Sequence, residues 1–173
     1  MKSFNALPLI WLGLCTVLPA DWAQARVHQD TGAFLDEIAK DCSRERLTSY
    51  LTREQLKSLP EGTSALVIRH RLKCQDQVRW VYFDSHRVRT LAETLAVVVR
   101  SDGSLDEVRV LSFDEPEDYL PKPKWFGTFK DRKLGPALEL HREIPMITGA
   151  TLSARAATDS VRKTLKLHEV LPQ

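Results

Sequence analysis

Met146-Ile147-Thr148-Gly149-Ala150-Thr151-Leu152-Ser153 leads into Ala154-Arg155-Ala156-Ala157-Thr158-Asp159-Ser160-Val161-Arg162-Lys163-Thr164-Leu165-Lys166-Leu167 near the end of the chain. Small residues come first, then hydroxyls, then an amphipathic run. Ala150, Ala154, Ala157, Val161 and Leu165 recur every three or four residues, which predicts one apolar helix face. Lys163 and Lys166 are expected in the last turns, where cations suit the negative end of the helix dipole. A loop of small residues that ends at a helix N-terminus offers free N–H groups and close backbone approach, so it suits an anion. As plain structure, the same Thr and Ser residues would serve as a helix cap.

The motif Thr148-Gly149-Ala150-Thr151-Leu152-Ser153 resembles the flavinylation motif of the FMN-binding domain family. That family has members in the sodium-translocating NADH:quinone reductase and in the Rnf complex. The resemblance implies that Thr151 carries FMN through a phosphoester bond, installed from FAD by a dedicated flavin transferase. It implies further that Gly149 and Ala150 let the backbone approach the phosphate, with Thr148, Leu152 and Ser153 completing the binding loop. Six positions before the acceptor stands Pro145, where the transferase motif usually has an acid; Glu143 is the nearest upstream carboxylate.

Upstream of this loop the pattern changes from helical to strand-like. Thr94-Leu95-Ala96-Val97-Val98-Val99-Arg100 and Leu105-Asp106-Glu107-Val108-Arg109-Val110-Leu111 flank Ser101-Asp102-Gly103-Ser104, and Asp-Gly between such runs signals a hairpin. This hairpin also resembles the family, whose second strand ends in an acidic segment near the flavin; here that segment is Asp114-Glu115-Pro116-Glu117. An acidic surface loop is the alternative for Glu115. Trp125, Phe126 and Phe129 are expected to pack the core. Residues 137–143 are expected to form a last strand. The resemblance runs from about residue 91 to 167.

The N-terminal half reads from pattern. Phe34, Leu35 and Ile38 have helical spacing, with Thr31 as the expected cap. Thr52-Arg53-Glu54-Gln55 reads as a capping box, and Pro60-Glu61-Gly62 as a turn. Ala65-Leu66-Val67-Ile68-Arg69-His70-Arg71-Leu72 and Val78-Arg79-Trp80-Val81-Tyr82-Phe83 predict two strands joined at Gln75-Asp76-Gln77. The expected organisation is a signal peptide over residues 1–25, a helical segment over 26–60 and the FMN-binding domain over 61–173. The expected fold class is α+β, a twisted antiparallel sheet with packed helices.

Lys2, the apolar stretch of residues 7–18 and Ala23-Gln24-Ala25 predict a secretory leader cleaved after Ala25. An extracytoplasmic, periplasmic location follows as the expectation, with association to a membrane left open. Cys42 and Cys74 then make a candidate disulfide. His28, His70, His86, His141 and His168 are scattered, so no metal site is expected. The chain has 25 Lys and Arg against 23 Asp and Glu, mixed along its length, which argues against a nucleic-acid surface. There is no Gly-x-Ser-x-Gly elbow and no Gly-x-Gly-x-x-Gly fingerprint.

The function these observations imply is an electron-transfer flavoprotein serving a membrane-bound donor or acceptor. Two alternatives stay open: a flavin-dependent reductase with its own substrate, and a binding module of the same fold without the cofactor. Pro145 is the residue that speaks most for the latter.

Overall fold

The computed structural model describes residues 26–27 and 29–173. The expected leader and His28 lie outside the described residues. The class is α+β. One antiparallel sheet carries six strands in the order β1-β6-β5-β4-β3-β2. They are β1 (Arg26–Val27), β2 (Ser43–Tyr50), β3 (Leu66–Lys73), β4 (Val78–Arg87), β5 (Ala92–Arg100) and β6 (Leu105–Phe113). The helices are α1 (Thr31–Ile38), α2 (Arg53–Lys57), α3 (Pro123–Phe126) and α4 (Thr151–Val170), with short 3-10 turns at Glu117–Tyr119 and Gly127–Phe129.

Two cores follow from strand alternation. On one face Trp80, Tyr82, Leu95, Val97, Val99 and Val108 meet Ala154, Ala157, Val161 and Leu165 of α4. On the other, Leu72, Val81, Ala96, Val98 and Leu111 meet Phe34 and Leu35 of α1. Of the expected stripe, Ala154, Ala157, Val161 and Leu165 therefore lie on the buried face of α4, and Ala150, just before the helix, is buried as well. The helix continues to Val170, so Lys163 and Lys166 lie before its last turn, which holds His168.

The hairpin at Asp102-Gly103 forms as expected, with Gly103 at φ +80° in the left-handed region that a side chain disfavours. The Thr52 capping box is complete, and Gln55 Nε2 also donates to the carbonyl of Val170 at 2.6 Å, tying α2 to the end of α4. The cap of α1 is Asp30, one residue before the expected Thr31; its Oδ2 accepts from Ala33 N at 2.9 Å. An ionised carboxylate makes the stronger cap.

Two further expectations need correction. Residues 26–60 are not only helical, because β1 and β2 lie among them, β2 as the edge strand beside β3. Most of its side chains are exposed on both faces, so no apolar alternation marks it. Residues 137–143 form turns and not a strand. His141 has φ +66°, and the only ladder contact of this stretch is an isolated bridge between Leu140 and Ile144. Cys42 and Cys74 are joined as a disulfide across a separation of 32 residues, closing the open end of the β2–β3 hairpin. Loop entropy gives such a bridge about 3 to 4 kcal/mol. No helix of the described residues is long and apolar enough to cross a membrane.

Candidate functional site

The turn before α4 is built on Gly149. Its φ is +85°, and a Cβ there would meet nothing within 4 Å. Backbone conformation, not crowding, selects glycine here, and the space above it is open. Ala150 follows as the N-cap, buried, with its N–H on the carbonyl of Ile147 at 3.2 Å. No side chain caps the helix, so the expected alternative role for the Thr and Ser residues fails. Thr148 is exposed, and Ser153 is buried beneath the first turn.

Thr151 is the first helical residue and half-buried. Its Oγ1 donates to the carbonyl of Ile147 at 3.3 Å. The N–H groups of Thr151, Leu152 and Ser153 have no acceptor among the described residues. That is the ordinary state of an uncapped first turn, and it leaves three donors and the positive end of a 20-residue dipole facing outward. Leu152 is 48 % exposed beside them.

Gly149 to Ser153 line a cavity of 150 Å³ together with Arg89 and Tyr119. Neither of these two was expected from sequence. Arg89 sits in the turn between β4 and β5, with its guanidinium 5.8 Å from the centre of the Tyr119 ring. What holds that turn is Glu115. Its Oε1 accepts from the N–H groups of Thr90 at 2.8 Å, Leu91 at 2.9 Å and Arg89 at 3.3 Å, and from Thr90 Oγ1 at 3.2 Å. These backbone donors keep the Glu115 carboxyl below its ordinary range. Glu115 is 8 % exposed, so it is not a free surface acid. The acidic segment thus reaches the site through the turn it fixes and through Tyr119, which follows it.

Trp125 is a framing residue. Its Nε1 donates to the carbonyl of Pro145 at 2.8 Å, and its ring packs edge-on against Phe126 and Phe129 at 5.0 and 5.2 Å. The aromatic cluster packs the core as expected, and it pins the segment of chain that enters the Gly149 turn. Glu143, the nearest upstream carboxylate, is engaged by Arg132 at 3.0 Å.

The donor set fits a phosphate: three outward N–H groups, an arginine with no carboxylate partner among the described residues, and an unblocked glycine Cα. It also places a hydroxyl among them. Residues 92–166 match the family model of the FMN-binding domain. The match begins at β5 and ends within α4, so it includes the Gly149 turn and excludes Arg89. No curated protein matches the chain.

Proposed function

We propose that the FMN-binding domain matched by residues 92–166 carries its FMN as a phosphoester on Thr151, and that the protein serves as an electron carrier outside the cytoplasm. The observation that carries this reading is the placement of the Thr151 hydroxyl among unpaired first-turn N–H groups, next to Arg89 and a left-handed Gly149. In the attachment step, Thr151 Oγ1 bonds to the phosphorus of the FMN half of FAD. The pyrophosphate bond breaks, AMP leaves, and a flavin transferase takes the hydroxyl proton. Esterification removes only the long bond to Ile147, at a cost of about 0.5 to 1.5 kcal/mol.

The flavin supplies transfer of one or two electrons. The chain's own residues do the rest. The first-turn N–H groups and Arg89 balance the phosphate charge. Glu115 fixes the turn that presents Arg89. Ser153 and Ala150 close the underside against water. The extracytoplasmic location rests on the leader expected over residues 1–25 and on the Cys42–Cys74 bridge, which suits an oxidising compartment. Electron partners at the membrane follow from the family resemblance.

Thr151→Ala tests the reading. After co-expression with a flavin transferase, the wild-type chain should gain the mass of one FMN, and the variant should fold without it. An unmodified mass for the wild-type chain would sink the proposal.

A further inference from the structure

A cavity of 440 Å³ lies between the middle turns of α4, the end of β4 and Pro60. It shares no lining residue with the cavity at Thr151. We propose that this cavity binds a small organic oxyanion, a carboxylate or a phosphate ester, through Arg87, Lys163 and Lys166.

The acids of the inner wall are already committed. Asp84 Oδ2 accepts from Ser160 Oγ at 2.6 Å and from His86 Nδ1 at 3.2 Å, and Asp84 Oδ1 faces Lys163 Nζ at 2.5 Å. His86 Nε2 meets Glu93 Oε2 at 3.0 Å. Both ring nitrogens therefore face carboxylate oxygens, and a neutral imidazole would set one lone pair against an oxygen. The ring is charged. Burial opposes that charge, but the hydrogen bonds to Asp84 and Glu93 outweigh it and raise the His86 pKa to about 9. Asp84 and Glu93 thus face the two cations His86 and Lys163, so the inner wall has no net charge, and Glu93 Oε1 is buried without a hydrogen-bond partner among the described residues.

At the mouth the balance differs. Arg162 is anchored to the carbonyls of Gly135 at 2.9 Å and Leu138 at 2.7 Å, with Glu139 at 3.8 Å. Arg87 and Lys166 have no carboxylate partner among the described residues, and Asp159 is the acid left to oppose them. Lys163 keeps two further N–H donors beyond the one on Asp84. Cations on β4 and α4 therefore converge on one space with an excess of positive charge. Pro60 and Ala156 give that space apolar walls, which suit the carbon body of an organic anion. Its volume lies within the range of roughly 300–1,000 Å³ common to small-molecule sites.

The test is an NMR titration of the full chain with inorganic phosphate and, separately, with succinate. Ionic strength is held constant with chloride, so that screening does not change. The expected result is saturable shifts at Arg87, Lys163 and Lys166 with at least one of the two probes. Arg87→Gln with Lys166→Gln should weaken that binding at least about tenfold, since each removes a charge-assisted contact. Both side chains stand at the mouth, and a wild-type amide spectrum elsewhere would show the double variant folded. Thr151→Ala should bind as wild type does, which separates this site from the α4 N-terminus. A response to phosphate alone assigns the phosphate class, and one to succinate alone the carboxylates. Shifts confined to residues 149–153, no saturable shift with either probe, or binding unchanged in the double variant would overturn the proposal.

Discussion

Replacing Glu115 by Ala removes one oxygen that serves three backbone N–H groups and a hydroxyl. Hydrogen bonds to a charged acceptor are each worth about 1.5–3 kcal/mol. Four of them do not add here. One oxygen is shared, two of the contacts exceed 3.1 Å, and the turn is exposed, with Leu91 39 % accessible, so water can replace the lost acceptor. The expected loss is therefore about 2–3 kcal/mol, near the worth of one such bond. Urea unfolding followed by tryptophan fluorescence should show a lower midpoint with an unchanged slope. Glu115→Gln should lose less, because its amide oxygen still accepts without the charge. The pH dependence has a definite sign. Because the folded carboxyl sits below its ordinary value of 4.5, this stabilisation is present above that value and is lost as pH falls through the folded one. The functional consequence is local: Arg89 loses its fixed turn, so flavin loading should fall with the sheet intact. A stability loss in Glu115→Ala below about 0.5 kcal/mol, the usual range for surface substitutions, would refute this account of the turn.

Gly149→Ala should cost about 1–2 kcal/mol through the left-handed φ, with no steric clash, and should reduce flavin incorporation measured by absorbance of the denatured protein. Two histidines should shape stability against pH in opposite senses. His86, raised to about 9 against burial by its bonds to Asp84 and Glu93, contributes stability that is full below 6.5 and lost as pH rises through about 9. His168, lowered to about 4 by burial and then by Arg69, costs stability as pH falls from 6.5 through about 4. Each limb should amount to on the order of 2 kcal/mol once screening is allowed for, so thermal melts should peak near pH 6.5, and a flat profile from 4 to 9 would contradict both. Reduction of the Cys42–Cys74 bridge should lower stability by about 3 to 4 kcal/mol and leave the α4 site intact, read by melting with and without reductant.

What could be read in advance was local. The Asp102-Gly103 turn, the Thr52–Gln55 capping box and the apolar stripe of α4 each state their structure within a few residues. Where the deciding contact is distant, the pattern is silent. Strand β2 is specified by its pairing with β3, while Arg44, Glu45 and Arg46 read alone as a solvated stretch; charges of this kind suit an edge strand. Residues 137–143 have strand-like composition, but the left-handed His141 and its bond to the carbonyl of Ile144 at 3.0 Å turn them into a series of tight turns. The candidate site divides the same way. Gly149-Ala150-Thr151 announces an anion loop, whereas Arg89 reaches it only because Glu115, 26 positions away, gathers the intervening turn. No periodicity encodes a bond of that kind. A lone arginine in a turn carries no signal until the acidic segment is seen to face inward.

Cavity size bears on why an ester would be needed at all. The space at Thr151 is 150 Å³. Reversible small-molecule sites usually occupy about 300–1,000 Å³ and bury most of the ligand. A phosphate fits the smaller space, but the ring system of a flavin extends beyond it. Three N–H groups and one arginine then act on one end of the molecule only. Contacts of that kind, partly exposed to solvent, support a dissociation constant no tighter than about 0.1 mM, near −5.5 kcal/mol. A tether changes the arithmetic. Were the proposed ester formed, the flavin would face its loop at an effective concentration of about millimolar or more, whatever the bulk concentration of free FMN. The weak contacts need only orient a group that cannot leave. Thr151→Ala should therefore bind added FMN poorly, with half-saturation above about 0.1 mM by fluorescence quenching. Micromolar binding by that variant would mean that the chain encloses the flavin without a bond, and dilution would then give no reason for a covalent link.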